Sequence, residues 1–147
     1  MKKSEEKAYS SKFEKLTELK SFVGKELGLT NWMQMSQKKI DAFAKITDDT
    51  QWIHTDPEKS ALYSPYKKTV AHGFLVLSMV SRISFNAFSI ENIVAGINYG
   101  LDRVRFPNAT KSDSTYRGRV SLMEFTEILG GAKSVSYTHL RAHETFG

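Results

Sequence analysis

The stretch His72-Gly73-Phe74-Leu75-Val76-Leu77-Ser78-Met79-Val80-Ser81-Arg82-Ile83-Ser84-Phe85-Asn86-Ala87-Phe88 decides the architecture. Nine of its residues are large and apolar, at positions 74–77, 79, 80, 83, 85 and 88. They leave little polar face, and a helix that is apolar nearly all round is a buried one. Its apolar run is far short of the ~20 residues that a membrane-spanning helix needs. Downstream, residues 90–106 are rich in Ile, Val, Tyr and Phe and close on Pro107, while residues 115–129 alternate in places. Both predict long strands. One buried helix followed by long strands predicts an α+β fold, with a sheet wrapped around that helix.

Upstream, residues 4–26 predict an amphipathic helix, because Phe13, Leu16, Leu19, Phe22 and Val23 recur at helical spacing. Gly28 then stands where a helix can end. Residues 32–35 are a short extended candidate. Ser36 can cap a second helix that carries Ile40, Phe43 and Ala44 on one face. That helix should stop near Thr47, since Asp48, Asp49 and Thr50 favour turns. Pro57 fits the first turn of a short helix, and Ser64-Pro65 marks another turn. The irregular character of residues 48–72 is itself a functional signal, because long loops in compact domains carry function.

Composition narrows the class. A chain of 147 residues suits one domain. It has no cysteine, so disulfides and thiolate metal sites are excluded. The net charge is +5 and the pI about 9.4, with Lys and Arg scattered and no run resembling a nucleic-acid arm. Mild positive charge suits a phosphate-bearing ligand and an ordinary solvated surface equally. The opening Met-Lys-Lys-Ser-Glu-Glu-Lys is polar and leads into no signal-length apolar core. A cytoplasmic protein without a membrane or nucleic-acid partner is expected.

Residues 135–145 read Val-Ser-Tyr-Thr-His-Leu-Arg-Ala-His-Glu-Thr. Codon for codon, this is the translation of a transposase adapter used in DNA library preparation. The expectation is therefore that residues 1–134 form a single domain lacking its last strands, and that residues 135–147 are a foreign tail. His139 and His143, which at that spacing would suggest a helical metal pair, are discarded on this ground. A chain cut short would leave apolar surface bare and dissolve poorly. Resequencing the source locus tests the idea; a natural read through codons 135–147 would refute it.

Chemistry concentrates between Asp49 and His72. Asp49 and His54 stand five apart, and five helical steps turn roughly 500°, so they cannot share a helix face. A turn between them can bring them together. A carboxylate beside an imidazole makes a proton-transfer pair. Asp48 most simply belongs to the helix-end turn, and Asp56 most simply caps the helix after Pro57. No His/Asp spacing here matches a metal cage, so no metal is expected. His72-Gly73 opens the buried helix, where free N–H groups meet the positive dipole end. That arrangement could hold a developing oxyanion, with Gly73 allowing close approach. On these residues alone the simpler reading is that His72 caps the helix and Gly73 relieves crowding. Ser78 and Ser81 lie further along it, where a buried Ser usually bonds back to its own helix.

The run Phe43-Ala44-Lys45-Ile46-Thr47-Asp48-Asp49-Thr50-Gln51-Trp52-Ile53-His54-Thr55-Asp56-Pro57 resembles the signature of MaoC-like dehydratases, the (R)-specific enoyl-CoA hydratases of the hot-dog fold. Thr69-Val70-Ala71-His72-Gly73-Phe74 and Ile97-Asn98-Tyr99-Gly100-Leu101-Asp102-Arg103-Val104-Arg105-Phe106-Pro107 resemble two further runs of the nodulation-protein-N-like branch. The three runs stand in the right order, and the resemblance covers roughly residues 15–130.

The resemblance implies an antiparallel sheet around one helix, a homodimer, and no cofactor beyond the CoA thioester that is the substrate. It implies that Asp49 and His54 are catalytic and hold the water that adds to C3 of a trans-2-enoyl-CoA, giving an (R)-3-hydroxyacyl-CoA. Gly73 matches the glycine whose N–H receives the thioester carbonyl, with His72 beside it. Ser81 matches a supporting serine. Departures exist. Asp48 replaces a usual glycine and sets a like charge beside Asp49. Lys67-Lys68 replaces a Gly-Gly and suits CoA phosphates or solvent equally. Trp52 replaces a proline and leaves acyl length open. A non-catalytic acyl-thioester-binding domain and a hot-dog thioesterase are the competing readings.

Overall fold

In a computed structural model the described residues are 6–143, apart from the side chains of residues 133–137, 139, 142 and 143. The elements are β1 (Tyr9–Phe13), a 3₁₀ helix (Leu16–Phe22), β2 (Glu26–Leu29), β3 (Met33–Met35), α1 (Gln37–Thr47), α2 (Trp52–Thr55), α3 (Pro57–Tyr63), α4 (Gly73–Ala87), β4 (Phe88–Ile90), β5 (Ser114–Ile128) and β6 (Gly131–His143). The strand order is β3-β5-β2-β1-β4, with β6 also pairing β5. The α+β class expected from the sequence holds, but the sheet is mixed. β2 and β3 pair β5 antiparallel, whereas β4 lies parallel to β1, with Ser11 opposite Phe88. A parallel pair needs a long crossover, and the chain between β1 and β4, α4 included, supplies it.

Two compact units are distinguishable. α4 and β5 each run from one into the other. The first unit contains β1, the 3₁₀ helix, β2, the end of α4, β4, and β5 from Arg117 onward. Here helix meets sheet without spacers. A Cβ on Gly28 would lie 2.1 Å from the Ala87 carbonyl oxygen, and one on Gly118 would lie 2.3 Å from Ile83 Cγ2. At Gly28 the obstacle is backbone, whereas at Gly118 it is the buried Ile83 side chain, which would have to shift. Phe13, Leu19, Leu27, Leu29, Ile83, Ala87, Val120 and Leu122 are buried in this unit.

The expected helix over residues 4–26 is corrected; Ser4 and Glu5 lie outside the described residues. β1 pairs β2 and β4, and β2 pairs β5, so the segment is held by remote strands rather than by its own helical spacing. Only Leu16–Phe22 is helical, and Gly28 sits within β2 instead of ending a helix. A second correction concerns residues 90–106. Beyond Ile90 no strand forms there, and residues 91–103 are all exposed, because among the described residues the segment has no partner strand. A third concerns α4. Leu75, Ile83 and Ala87 are buried, but Phe74 is 71% and Phe85 81% exposed, so the helix is not covered all round. The backbone of 131–143 forms β6; the side chains of His139 and His143 lie outside the described set.

The second unit holds β3, α1, α2, α3, the start of α4, the segment 101–113 and the beginning of β5. Its sequence-level signals are local and they hold. The Ser36 side chain accepts from the Lys39 N–H at the start of α1. Asp48 ends α1 in the left-handed region, φ 57°. Asp56 caps α3 by accepting from the Lys59 N–H at 2.8 Å. Ile40 and Ala44 form the buried stripe of α1. No helix among the described residues is long and apolar enough to cross a membrane.

Candidate active site

The left-handed turn at Asp48 redirects the chain as α1 ends, so Asp49 leaves the helix axis and the short α2 follows. α2 carries His54 inward, 7% exposed. Segment 69–72 is pinned across it. The Val70 N–H donates to the Ile53 carbonyl at 3.0 Å, the Ala71 N–H to the Thr110 carbonyl at 2.8 Å, and the Ser112 N–H to the Thr69 carbonyl at 2.9 Å. The pinning brings the Val70 carbonyl within 2.6 Å of His54 Nδ1. A carbonyl only accepts, so Nδ1 carries the proton and the neutral ring keeps its lone pair on Nε2.

His72 is the second buried imidazole, 4% exposed. Its Nε2 lies 2.9 Å from the Asp49 backbone carbonyl, which fixes the opposite tautomer by the same argument. The two rings stack, with centroids 3.7 Å apart and planes at 25°. Phe43 packs on His72 at 5.1 Å. The Asp49 side chain accepts from Gln51 Nε2 at 3.2 Å. One ligand-capable atom from each of Asp49, His54 and His72 lies within 4.8 Å of the others. The sequence spacing predicted a proton-transfer pair, and the fold assembles a trio of possible metal ligands.

A buried polar lattice supports this arrangement. Gln37 Nε2 donates to the His54 carbonyl at 2.8 Å, and Gln37 Oε1 accepts from Thr69. The Thr69 and Ser112 hydroxyls are 2.8 Å apart. Sequence reading missed Gln37, Thr69 and Ser112. They are separated by 32 and 43 positions, and no local pattern links them.

The remaining expected residues fall as follows. Gly73 begins α4, and a Cβ there would lie 2.8 Å from the Phe106 ring, so the relief-of-crowding reading has a structural basis. Its N–H belongs to the first helical turn, where donors have no intrahelical acceptor. Ser81 lies where α4 has passed into the other unit, and there its hydroxyl accepts from Asn98 Nδ2 at 3.4 Å. Ser78 bonds back to the Phe74 carbonyl at 2.7 Å, as a helical Ser usually does. Lys67 and Lys68 donate to the Leu62 and Ser112 carbonyls, at 3.2 and 3.5 Å. Asp48 and Asp56 remain the helix-end residues expected of them.

Comparison with known proteins gives the family and the fold. A family model described as MaoC like domain matches residues 18–142. Nodulation protein N of Rhizobium leguminosarum bv. viciae is 46% identical over 110 residues, covering 74% of this chain and 68% of that protein. The 3-hydroxyacyl-thioester dehydratase Z of Mycobacterium tuberculosis is 34% identical over 119 residues, covering 81% and 78%. Among solved structures, a MaoC-like dehydratase from Rhodospirillum rubrum superposes with a TM-score of 0.61 at 18% identity, covering 78% of this chain and 77% of that one. The (R)-hydratase from A. caviae involved in PHA biosynthesis gives 0.57 at 16%, covering 76% and 80%. At those identities the two structures establish the hot-dog fold alone.

Proposed function

The chain belongs to the MaoC-like domain family, and we propose that it is an acyl-thioester hydratase that adds water to a trans-2-enoyl-CoA and, in reverse, dehydrates the 3-hydroxyacyl-CoA. The observation that carries this reading is the buried His54 ring, held by the Val70 carbonyl so that its Nε2 lone pair is free beside the Asp49 carboxylate. A water between the two gives one proton to the pair as its oxygen bonds to C3. The C2–C3 π electrons move toward the thioester carbonyl, and the oxygen there gains charge. The pair then returns a proton to C2 as the carbonyl re-forms, so atoms and charge balance.

On this reading the Gly73 N–H receives the charged thioester oxygen. The (R) configuration and the supporting role of Ser81 rest on the resemblance. The substrate's CoA is the only cofactor-like group required. The protein acts as a homodimer; Val94, Ile97 and Tyr99 are 106%, 86% and 90% exposed, and an apolar run of that kind favours a partner surface.

The test is hydration of crotonyl-CoA by purified protein alongside Asp49→Asn and His54→Ala. Hydration by the wild type and its loss in both variants supports the reading. Equal rates in all three refute it, as does free thiol release, which would mark a thioesterase, or binding without turnover, which would mark a non-catalytic domain.

A further inference from the structure

We infer that His72 is a third protein partner of the reacting water, holding through Nδ1 the O–H bond that hydration does not break. The inference rests on the proposed hydration at Asp49 and His54 and assigns His72 a separate task within it.

His72 Nδ1 is buried and has no hydrogen-bond partner among the described residues. With Nε2 donating to the Asp49 carbonyl, a neutral ring presents Nδ1 as an acceptor. Leaving a buried acceptor unpaired costs about 1–3 kcal/mol, and native structures rarely tolerate that without a use. The ring cannot turn to relieve it. It is fixed at Nε2, stacked on His54 on one side and packed against Phe43.

One ligand-capable atom from each of Asp49, His54 and His72 lies within 4.8 Å of the others, so a single point can stand within about 2.8 Å of all three, hydrogen-bond reach for one water.

That water has two O–H bonds. One points to the Asp49–His54 pair and is broken. The other points to His72 Nδ1 and survives as the product hydroxyl. With both O–H bonds held, a lone pair is directed at C3. Orientation of this kind lowers the barrier without changing ground-state substrate affinity.

Two substitutions separate this role from a structural one. His72→Gln keeps a donor near the Nε2 position and loses the Nδ1 acceptor. His72→Asn places an oxygen near the Nδ1 position and loses the Nε2 bond. The expected result is a crossing. His72→Gln keeps a near-native Tm but loses roughly 10- to 100-fold in kcat with KM little changed, while His72→Asn loses more Tm and keeps more of kcat. Wild-type kcat in folded His72→Gln would overturn the inference, and so would losses of kcat that simply follow Tm in both.

Nitrogen NMR of wild-type protein with labelled histidine supplies a readout that needs neither variant. His72 Nδ1 should be unprotonated and hydrogen-bonded; a protonated Nδ1 contradicts the inference. An inactive wild type refutes the hydratase reading instead, so the two failures are distinguishable.

Discussion

Around Gly28, backbone touches backbone: the Ala87 carbonyl sits where a Cβ would be, and Ile83 fills the corresponding space at Gly118. Around His54, contact is made by donors and acceptors: Gln37, Thr69, Ser112 and the Val70 carbonyl each hold a named partner. The first region is specified by shape and the second by polar pairing. Shape is unforgiving of added volume, because close-packed interiors transmit strain. Polar pairing is unforgiving of a lost partner, because the group left behind is buried and unpaired. Substitutions in the first should therefore be read in stability, and those in the second in stability among the supporting polar pairs and in turnover at Asp49 and His54.

The largest expected effect lies at the site. Asp49→Asn and His54→Ala each remove a proton-transfer group, and kcat should fall about 10²–10⁴-fold. Asp49→Asn should leave the thermal midpoint within a few degrees, since the hydrogen bond its carboxylate accepts from Gln51 is an exposed one. Steady-state kinetics beside a thermal melt checks both halves. Next comes Gly28→Ala, which should cost about 3 kcal/mol or more and lower the yield of folded protein, because the added methyl meets backbone that cannot step aside. A Gly28→Ala protein as stable as wild type by denaturant titration would break the contrast between the regions.

Thr69→Val is the intermediate case. It keeps the shape and strands Gln37 and Ser112, so about 1–3 kcal/mol of stability should go, with a rise in hydrogen exchange at the Val70 amide. Asp56→Ala removes only the cap of α3 and should cost about 1 kcal/mol with turnover intact.

The smallest effect is at Tyr9 in the first unit. Partial burial and the hydrogen bond it donates to Glu26 push its phenol up to about 12 from 10.0. A raised folded value means that its contribution is complete below pH 10 and is lost as pH rises toward 12. The stability gap between wild type and Tyr9→Phe should close across that window.

The two regions also differed in how far the sequence could be read. In the second unit the deciding features are local. Ser36 and Asp56 cap the helices that directly follow them, and Asp48 turns the chain at the end of α1. Asp49, His54 and His72, which the fold brings within 4.8 Å of one another, were legible as candidates because their motifs are short and in order. The tautomers were not legible, since they are set by the Val70 and Asp49 carbonyls.

In the first unit the deciding features are remote. Tyr9 faces Leu29, Ser11 faces Phe88, and Leu29 faces Arg119. Helical spacing in residues 4–26 could not compete with those pairings. The same logic applies to residues 91–106, where a strand-like composition meets no strand to pair with among the described residues. Composition describes a segment's preference; the partner decides whether it is met.

The claim that Asp49 and His54 activate a water is tested most directly by running the reaction in heavy-oxygen water with crotonyl-CoA and reading the product by mass spectrometry. The account predicts one heavy oxygen at C3 of an intact 3-hydroxybutyryl-CoA, formed by wild type and lost with Asp49→Asn. Heavy oxygen in a released carboxylate, or equal incorporation by the variant, would contradict it.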